Sequence, residues 1–417
     1  MSPKFRSLRE IYERCNLAAL LDSLIQPDCV FNEGGNLADL SCADVFNLEV
    51  LFATCNASLD DAGALPLNPE MADEISVDKA LSRLEASQWK EAMDSEYQSL
   101  IDNNTWQLVP APANRKLVTC KWLLRKKFLS DGSVSRYKAR LVARGFSQVP
   151  GKDYSETFSP VLRITAFQVL IAIAAQFHFL QHQMNVHRAF LHGDLEEEIY
   201  MIQPPGYISS EHPNHVCRLL KSLYGQEQSP RQWYRRFHRC MINLGYLRLQ
   251  SDPNVYSRHS SGIFLLLAIY VDDILLLCNS PSELAVPKEE LHSSFSMTDM
   301  GSLHFCLGIQ VQQDAPRGII TISQQSYINS LLKKYQMEAC KGMDTALPVS
   351  LKIQQIDAPS RAQAVQDFPY SNILGGVRYL VTCTRPDICF AANPLSRFMQ
   401  HPGANQILYL KRLLRYL

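Results

Sequence analysis

The sequence predicts an α+β chain in which an antiparallel sheet is backed by helices. The first observation is the segment Ile263–Cys278, where two apolar runs flank Asp272 and Asp273 and turn residues stand at both ends. Such runs are typical of buried strands and an Asp pair is a natural two-residue turn, so the segment predicts a tight hairpin. The second observation is the helical spacing of apolar residues at 84–101 and, nearly all round, at 161–177.

The composition indicates an ordinary globular chain with room for two or three domains. Its 417 residues are 46% hydrophobic and 20% charged, with a formal net charge of zero. These values exclude a disordered tail, and the overall charge balance argues against a dedicated nucleic-acid binder. The charge is uneven, however: residues 60–102 carry 11 acids and 3 bases, whereas residues 115–144 carry 10 bases and 1 acid. The basic stretch suits a phosphate backbone, or it is a solvated charged hairpin.

Cysteine and histidine spacing gives no clear metal signal. None of the 12 cysteines forms a Cys-x-x-Cys pair, so neither a zinc site nor a thioredoxin-type motif is predicted. The pairs His178/His182 and His212/His215 lack a third ligand at fitting spacing, which favours structural roles. No secretory signal and no run of membrane-span length occur, so we expect an intracellular chain, cytoplasmic or nuclear, without a membrane partner.

The first part of the chain is predicted to contain a linker, a helix and a basic hairpin. Residues 1–78 are the least defined and end in an acidic, proline-containing stretch, so we expect a boundary near 78. An amphipathic helix at 84–101 follows. Two basic strands are then predicted at 121–128 and 135–143, joined by a turn at 130–133. Such a cationic hairpin can reach over the phosphates of a ligand.

A buried helix at 161–177 leads to a strand that is predicted to end near Val186. A second helix is predicted with Ser229 as its N-cap, Pro230 at its first position and Gly245 at its end. Much of its remaining face is basic, with Arg231, Arg235, Arg236 and Arg239. This face is suited to a nucleic-acid backbone, or it is a solvated arginine face.

Asp272 and Asp273 are the leading candidates for chemistry. Two adjacent carboxylates repel each other unless a cation lies between them, and their hard oxygens suit Mg²⁺ or Mn²⁺. The pair therefore predicts a metal site and phosphoryl-transfer chemistry. An ordinary surface turn is the alternative. The flanks favour the metal site, because both arms are apolar at nearly every position, whereas a solvated hairpin alternates polar and apolar residues.

A series of short motifs runs in a fixed order from about residue 79 to the C-terminus. The motifs are Asn104–Trp106, Tyr137–Phe146, Thr157–Pro160, Ala189–Met201, Gln203–Gly206, Tyr224-Gly225, Gln228–Arg231, Tyr270–Asp273, Leu307–Ile309, Tyr379-Leu380 and Thr384–Asp387. Together they resemble the reverse transcriptase of copia-type long-terminal-repeat retrotransposons. No integrase, protease or nucleocapsid motif accompanies them, so we expect a piece of a longer pol polyprotein.

The resemblance implies a right-hand polymerase with fingers and palm at 79–320 and a thumb or connection region at 321–417. Its implied activity is RNA-directed DNA polymerisation from dNTPs on a primed RNA or DNA template. In such enzymes three palm carboxylates hold two divalent ions, Mg²⁺ or Mn²⁺, and Asp272 and Asp273 match two of those carboxylates.

The resemblance also assigns substrate-binding residues. Phe190 matches the aromatic gate that excludes a 2′-hydroxyl. Lys138 and Arg140 lie in the motif expected near the incoming triphosphate, and the resemblance leaves open which of them contacts it. Gly225, Ser229 and Pro230 match the loop and helix start that pack by the template and nucleotide.

One departure from the family pattern concerns catalysis directly. The pattern places its first catalytic aspartate where this chain has Asn185, within Met184–Phe190. An amide offers one neutral oxygen and removes a full charge from a site that assembles two dications, so we expect activity to fall on the order of a thousandfold or more. Substitution by Asp194 is the alternative. Two rivals are a non-catalytic nucleic-acid-binding remnant and a misfolded relic.

Overall fold

The structure is a computed structural model in which residues 75–128, 133–260, 262–314, 317–348 and 368–417 are described. The predicted segment 1–78 therefore lies outside the described residues as far as position 74. The same holds for the predicted turn at 130–133, except for Ser133.

Helices and strands alternate along the described chain. The helices are α1 Val77–Leu81, α2 Ala86–Asp102, α3 Ile164–Gln176, α4 Ser229–Asn243, α5 Ala285–Ser294, α6 Gln325–Lys334, α7 Tyr370–Cys383, α8 Cys389–Ser396 and α9 Ala404–Tyr416, with short 3₁₀ turns at Gly145–Ser147, Ala189–His192 and Pro386–Ile388. The strands are β1 Trp106–Pro110, β2 Cys120–Phe128, β3 Val134–Ala143, β4 Leu180–Val186, β5 Asp194–Met201, β6 His215–Lys221, β7 Leu247–Arg248, β8 Val255–Ser260, β9 Ile263–Tyr270, β10 Asp273–Cys278, β11 Met297–Ser302, β12 Phe305–Cys306, β13 Ile309–Asp314 and β14 Ile319–Ser323. The mixed helix and sheet content and the predicted helices are confirmed.

The largest sheet has six strands in the order β11-β4-β10-β9-β8-β7. Within it, β9 pairs antiparallel with both β10 and β8. Strand β4 lies beside β10, so the strand that carries Asn185 neighbours the strand that begins with Asp273. Three smaller sheets have the orders β1-β6-β5, β12-β13-β14 and β2-β3.

The described residues divide into two compact units. The hairpin unit takes in residues 75–128, 133–162, 182–260 and 262–301, and the C-terminal unit takes in residues 163–181, 302–314, 317–348 and 368–417. The predicted functional domains at 79–320 and 321–417 stay a prediction.

A helix packed on the basic hairpin forms one core of the hairpin unit. The predicted amphipathic helix is α2, and it buries Trp89, Met93 and Leu100. Trp89 meets Tyr137 of β3 edge to face, with ring centroids 4.7 Å apart. Burial of large apolar side chains at helical spacing holds this helix in place, since each fully buried one contributes about 1.5–3 kcal/mol.

The C-terminal unit has its own core of four helices, α6 to α9. They bury a set of mostly aliphatic side chains that includes Ile328, Leu331, Leu374, Val377, Leu380, Leu395, Leu410 and Leu413. The motif Thr384–Asp387 contacts the last helix of this bundle. Within the motif, Arg385 forms two 2.9 Å hydrogen bonds to the Asp387 carboxylate. The Tyr416 hydroxyl, at the end of α9, donates to the same carboxylate at 3.3 Å. Among the described residues, no helix is long and apolar enough to cross a membrane.

Candidate functional site

The hairpin β9–β10 carries the predicted carboxylate pair, but with a shifted turn. Tyr270 pairs with Asp273, so the two turn residues are Val271 and Asp272. The prediction that Asp272 and Asp273 form the turn is therefore wrong by one residue, and Asp273 begins β10. Val271 has φ 56°, a left-handed conformation that costs a residue with a Cβ about 1–2 kcal/mol. Such strain persists only where the surroundings hold it.

Two hydrogen bonds hold this turn. The indole Nε1–H of Trp233, on α4, donates to the backbone oxygen of Val271 at 2.6 Å. The backbone N–H of Val186, at the end of β4, donates to the backbone oxygen of Asp272 at 2.7 Å. Since Trp233 is 2% exposed, helix and neighbouring strand together fix the backbone that presents the carboxylates.

Asp273 accepts hydrogen bonds from two side-chain amides of β4. Asn185 Nδ2 lies 3.1 Å and Gln183 Nε2 lies 3.0 Å from the same oxygen, Oδ1. Burial raises the pKa of the Asp273 carboxyl, the adjacent Asp272 acts in the same direction, and the two amides oppose them. The amides are neutral, so they stabilise the carboxylate without cancelling its charge.

The donor set around Asp273 does not fit a pair of dications. Divalent Mg²⁺ and Mn²⁺ require oxygen ligands, whereas an amide N–H can only donate a hydrogen bond. In the part of the chain that the structure describes, no group of three or more His, Cys, Asp or Glu side chains could hold a metal. Asp194, the predicted substitute, instead lies 3.4 Å from Lys221 in an ion pair. Asp272 and Asp273 as metal ligands stay a prediction.

The cationic hairpin is confirmed, with β2 and β3 paired antiparallel. Lys138 and Arg140 stand two residues apart on β3 and therefore on one face of the strand. Burial lowers the pKa of Lys138 to about 8, the cations Arg140 and Arg136 act in the same direction, and Asp272 opposes them. The structure thus brings Lys138 within the electrostatic reach of Asp272.

Tyr224 links the cationic hairpin to the predicted gate residue. The Arg140 guanidinium lies over the Tyr224 ring, 4.5 Å from its centroid, and Phe190 meets the same ring at 4.9 Å. Burial raises the pKa of Tyr224 to about 12, so this hydroxyl stays protonated at neutral pH. Phe190, Tyr224 and Arg140 form one contiguous wall.

Gly225 is required by close backbone approach. Its φ is +88°, and a Cβ there would lie 2.1 Å from the Ala143 backbone oxygen. The neighbouring Tyr224 oxygen accepts a hydrogen bond from the Ala143 N–H at 2.8 Å. Any side chain at position 225 would separate this loop from the end of β3.

Ser229 begins α4 but does not cap it, so the predicted N-cap role is wrong. The preceding residue, Gln228, is the N-cap, and Pro230 falls in the first turn. The buried Ser229 hydroxyl instead donates to the Leu223 backbone oxygen at 2.6 Å, and Gln226 Oε1 accepts the Leu223 N–H at 2.7 Å. Ser229 therefore fixes the loop before the helix. The predicted helix end is confirmed, because α4 stops at Asn243 and Gly245 follows with φ +80°.

The arginine face of α4 is largely occupied by local contacts. Arg231 forms an ion pair with Glu156, and Arg235 forms one with Glu196 at 2.9 Å. Arg236 lies over the Phe295 ring, 5.7 Å from its centroid. A carboxylate already partners two of the four guanidinium groups, so this helix is a weaker candidate for phosphate contacts than the β2–β3 hairpin.

Two features of the site were missed by sequence reasoning. Gln183 lies two residues before Asn185, and period-two alternation along a strand places both on one face, so this signal was present. Arg188 has φ 52°, and its Nε donates at 3.1 Å to Glu96, a buried residue of α2. That ion pair joins positions 92 residues apart in sequence, and no local pattern announces it.

A family model described as "Reverse transcriptase (RNA-dependent DNA polymerase)" matches residues 103–349. That match covers more than half of the chain, and the chain therefore belongs to the reverse transcriptase family, in its copia-type branch.

Two similar relatives are Pol polyproteins of plant transposons. The chain is 38% identical over 363 residues to the retrovirus-related Pol polyprotein from transposon RE1 of Arabidopsis thaliana, a match covering 85% of this chain and 24% of that protein. It is 39% identical over 346 residues to the one from transposon TNT 1-94 of Nicotiana tabacum, covering 82% of this chain and 26% of that protein. The chain thus spans about a quarter of the length of these relatives.

Among solved structures, the chain is similar to a foamy viral protease-reverse transcriptase in complex with double-stranded DNA. The TM-score is 0.36 and the identity 11%, over 79% of this chain and 48% of that chain.

Proposed function

We propose that this chain is a copia-type reverse transcriptase domain of right-hand architecture whose nucleotidyl transfer is impaired. Its ancestral reaction is RNA-directed DNA synthesis from dNTPs on a primed template. The six-stranded sheet with the β9–β10 hairpin corresponds to the palm, and the β2–β3 hairpin belongs to the fingers. Two observations support this assignment: Asp273 begins the strand next to Asn185, and Asp272 acts electrostatically on Lys138 of the β2–β3 hairpin.

The residues divide into three roles in this proposal. Asp272 and Asp273 correspond to two of the three metal-binding carboxylates of active family members, and Asn185 stands in place of the third. Lys138 and Arg140 face the incoming triphosphate, and Phe190 excludes a 2′-hydroxyl. The loop and helix start that pack by template and nucleotide contain Gly225, Ser229 and Pro230.

A single observation carries the impairment: Asn185 Nδ2 donates to Asp273 Oδ1 at 3.1 Å. In the family pattern the position of Asn185 carries a carboxylate, so the native chain offers an N–H where an active member offers an oxygen. Metal ions supply several kcal/mol of transition-state stabilisation. Since each 1.36 kcal/mol is tenfold in rate, losing part of it costs on the order of a thousandfold.

Primer extension on a poly(rA)·oligo(dT) template tests the impairment. The native chain, Asn185→Asp and Asn185→Ala are compared in Mg²⁺ and in Mn²⁺. We expect extension to rise by about a thousandfold in Asn185→Asp alone. Equal activity of the native chain and Asn185→Asp would refute the role of residue 185.

Template-primer binding without incorporation is the second candidate function. The observation that favours it is the cationic hairpin, where neither Lys138 nor Arg140 forms a salt bridge with any described residue. Asp272 acts on Lys138 electrostatically, and the Arg140 guanidinium lies over the Tyr224 ring. Cations without acidic partners remain available for phosphates. We expect affinity for an RNA–DNA duplex to fall steeply with salt, and Lys138→Gln to reduce the slope of log affinity against log salt by about one. Absence of any binding would sink this function.

A further inference from the structure

Two phenylalanines of the hairpin unit are exposed to an unusual degree. Phe146 is 81% exposed and Phe158 is 72% exposed. Isolated exposed apolar side chains are common on protein surfaces, so exposure alone carries no meaning. These two residues differ from an ordinary exposed phenylalanine because hydrogen bonds next to both of them reach the same loop.

Phe146 is presented by a rigid single turn. It lies in the 3₁₀ turn Gly145–Ser147, where the Gly145 N–H donates to the Gly225 oxygen at 3.0 Å. A Cβ at position 145 would lie 2.1 Å from that oxygen, so only glycine permits the approach. On the other side, the buried Gln148 accepts the Glu227 N–H at 3.0 Å. Hydrogen bonds of the Gly145 backbone and the Gln148 side chain therefore hold both sides of Phe146 against residues 225–227, while its ring stays exposed.

Phe158 is tied to the other end of the same stretch. The Arg231 guanidinium donates to the Phe158 backbone oxygen at 3.1 Å, and the Ser159 hydroxyl donates to the Pro230 oxygen at 3.2 Å. The backbone at Phe158 is thus held while its ring stays in solvent. The hydrogen bonds next to both phenylalanines thus converge on the loop that begins at Tyr224, the residue whose ring contacts Arg140 and Phe190.

The charges around the two rings suit a polyanion on balance. Arg144, directly before the 3₁₀ turn, and Lys152 are exposed. Of the nearby acids, Glu156 is neutralised by Arg231, whereas Glu227 is exposed. Beyond this loop, residues 115–144 carry 10 bases and 1 acid. Exposed aromatic rings on a surface that also carries exposed cations are the combination by which proteins bind single-stranded nucleic acid, with the bases stacked on the aromatic faces.

We propose that Phe146 and Phe158 form a stacking platform for unpaired bases of the template strand. This inference rests on the proposed function, because it presupposes that the chain binds a template-primer. Stacking on an aromatic face tolerates every base, so the platform would hold the template without sequence preference.

Equilibrium binding of two RNA–DNA duplexes tests the platform. One duplex is blunt, and the other has a short 5′ template overhang with 2-aminopurine as its first unpaired base. The variants are Phe146→Ala, Phe146→Trp and Phe158→Ala. Phe390→Ala is the matched control, since Phe390 is also 81% exposed but belongs to the C-terminal unit.

We expect Phe146→Ala to weaken binding of the overhang duplex by about tenfold and to leave the blunt duplex unaffected. Phe158→Ala should act in the same direction, whereas Phe146→Trp and Phe390→Ala should bind as the native chain does. The salt dependence should not change in any of them, because no charge is removed. Quenching of 2-aminopurine fluorescence should persist in the native chain and in Phe146→Trp and be lost in Phe146→Ala.

Equal effects of Phe146→Ala on both duplexes, or an effect no larger than that of Phe390→Ala, would overturn the platform while leaving the proposed function intact. A native chain that binds neither duplex would overturn both.

Discussion

Two aspartates in different units of the molecule show how the charge of a hydrogen-bonding partner decides whether the pKa of a carboxyl group is raised or lowered. Asp273, in the hairpin unit, faces two neutral amides, and its pKa lies above the ordinary value because burial and the adjacent Asp272 outweigh the hydrogen bonds. Asp387, in the C-terminal unit, is also raised by burial, but the hydrogen bonds and charge of Arg385 outweigh burial, so its pKa lies below the ordinary value.

The difference separates hydrogen bonding from charge compensation. Both carboxylates accept hydrogen bonds from N–H donors, at Oδ1 of Asp273 and at both oxygens of Asp387, yet only the guanidinium at Asp387 supplies a positive charge. At Asp387 the guanidinium compensates the charge of the carboxylate, so the site needs no further cation. The site at Asp273 and Asp272 keeps an excess of negative charge, which is what a cation-binding site requires before its ligand arrives.

The largest expected effect is at the compensated site. Asp387→Asn leaves the Arg385 guanidinium without its carboxylate, and the two side chains are only 25% and 18% exposed. We expect the free energy of unfolding at pH 7 to fall by about 3 kcal/mol, as for a buried ion pair that loses one partner. Urea denaturation of the full chain measures it.

The pH dependence of this loss has a definite sign. Because the pKa of Asp387 is lowered in the folded state, its contribution is present above the ordinary carboxyl pKa and is lost as the pH falls through the folded value. The difference between native chain and variant should therefore shrink in acid. Asp314→Asn, which breaks an exposed pair with Arg317, is the control and should change the free energy by less than about 0.5 kcal/mol. A loss at position 387 no larger than this would contradict the comparison.

The second prediction converts the uncompensated site into a metal-dependent one. Asn185→Asp replaces a hydrogen-bond donor to Asp273 by a third carboxylate, so in EDTA at pH 7 we expect a loss of about 2 kcal/mol. Added Mg²⁺ should recover it, because a ligand that binds only the folded state stabilises that state. Asn185→Ala should lose stability but show no response to Mg²⁺. Thermal denaturation with and without Mg²⁺ measures both, and a variant unaffected by EDTA would refute the placement.

The third prediction concerns the turn that presents the pair. Trp233→Phe removes the N–H that bonds the Val271 oxygen, and we expect a cost of about 1 kcal/mol from this bond. Trp89→Phe is a matched control with the same loss of volume, since Trp89 Nε1 is buried without a partner among the described residues. Urea denaturation should show a larger loss for Trp233→Phe, and equal losses would mean that the hydrogen bond adds nothing.

The smallest effect is expected for Asp273→Asn. The pKa of Asp273 is raised in the folded state, so its contribution to stability is fully present below the ordinary carboxyl pKa, about 3.9, and is lost as the pH rises through the folded value. The variant lacks this dependence, so its stability relative to the native chain should rise with pH. At pH 7 we expect equal or higher stability. A clear loss at pH 7 would mean that the amides compensate the charge after all.

Much of the fold was predictable because it follows from local sequence patterns. Strand-like runs bounded or joined by turn residues predict the two hairpins, helical spacing predicts helix α2, and the structure confirms all three. The turn at Val271 was not predictable, because turn preferences favour aspartate over valine at a left-handed position. Its conformation depends on Trp233 and Val186, which lie far away in sequence.

The candidate site divides in the same way. The carboxylates and cations were recognisable as residue types in motifs, and the contact of Asn185 with Asp273 follows from β4 lying beside β10. The role of Ser229 was misassigned, because a serine before a helix is ordinarily a cap. Here Gln228 takes that position and the Ser229 hydroxyl turns back to Leu223. Which backbone group a loop side chain bonds is not encoded in a periodic sequence pattern, so sequence reasoning could not find this hydrogen bond.

The depressed pKa of Lys138 has a consequence for chemical reactivity. An ordinary lysine, with a pKa of about 10.4, is almost wholly protonated at neutral pH and a poor nucleophile. With a pKa of about 8, roughly one Lys138 amine in ten is unprotonated at pH 7. Dilute acylating reagents or aldehydes should therefore label this position ahead of the exposed lysines. Labelling of the Lys138 amine would therefore report on phosphate binding at the β2–β3 hairpin, because a bound phosphate would suppress it.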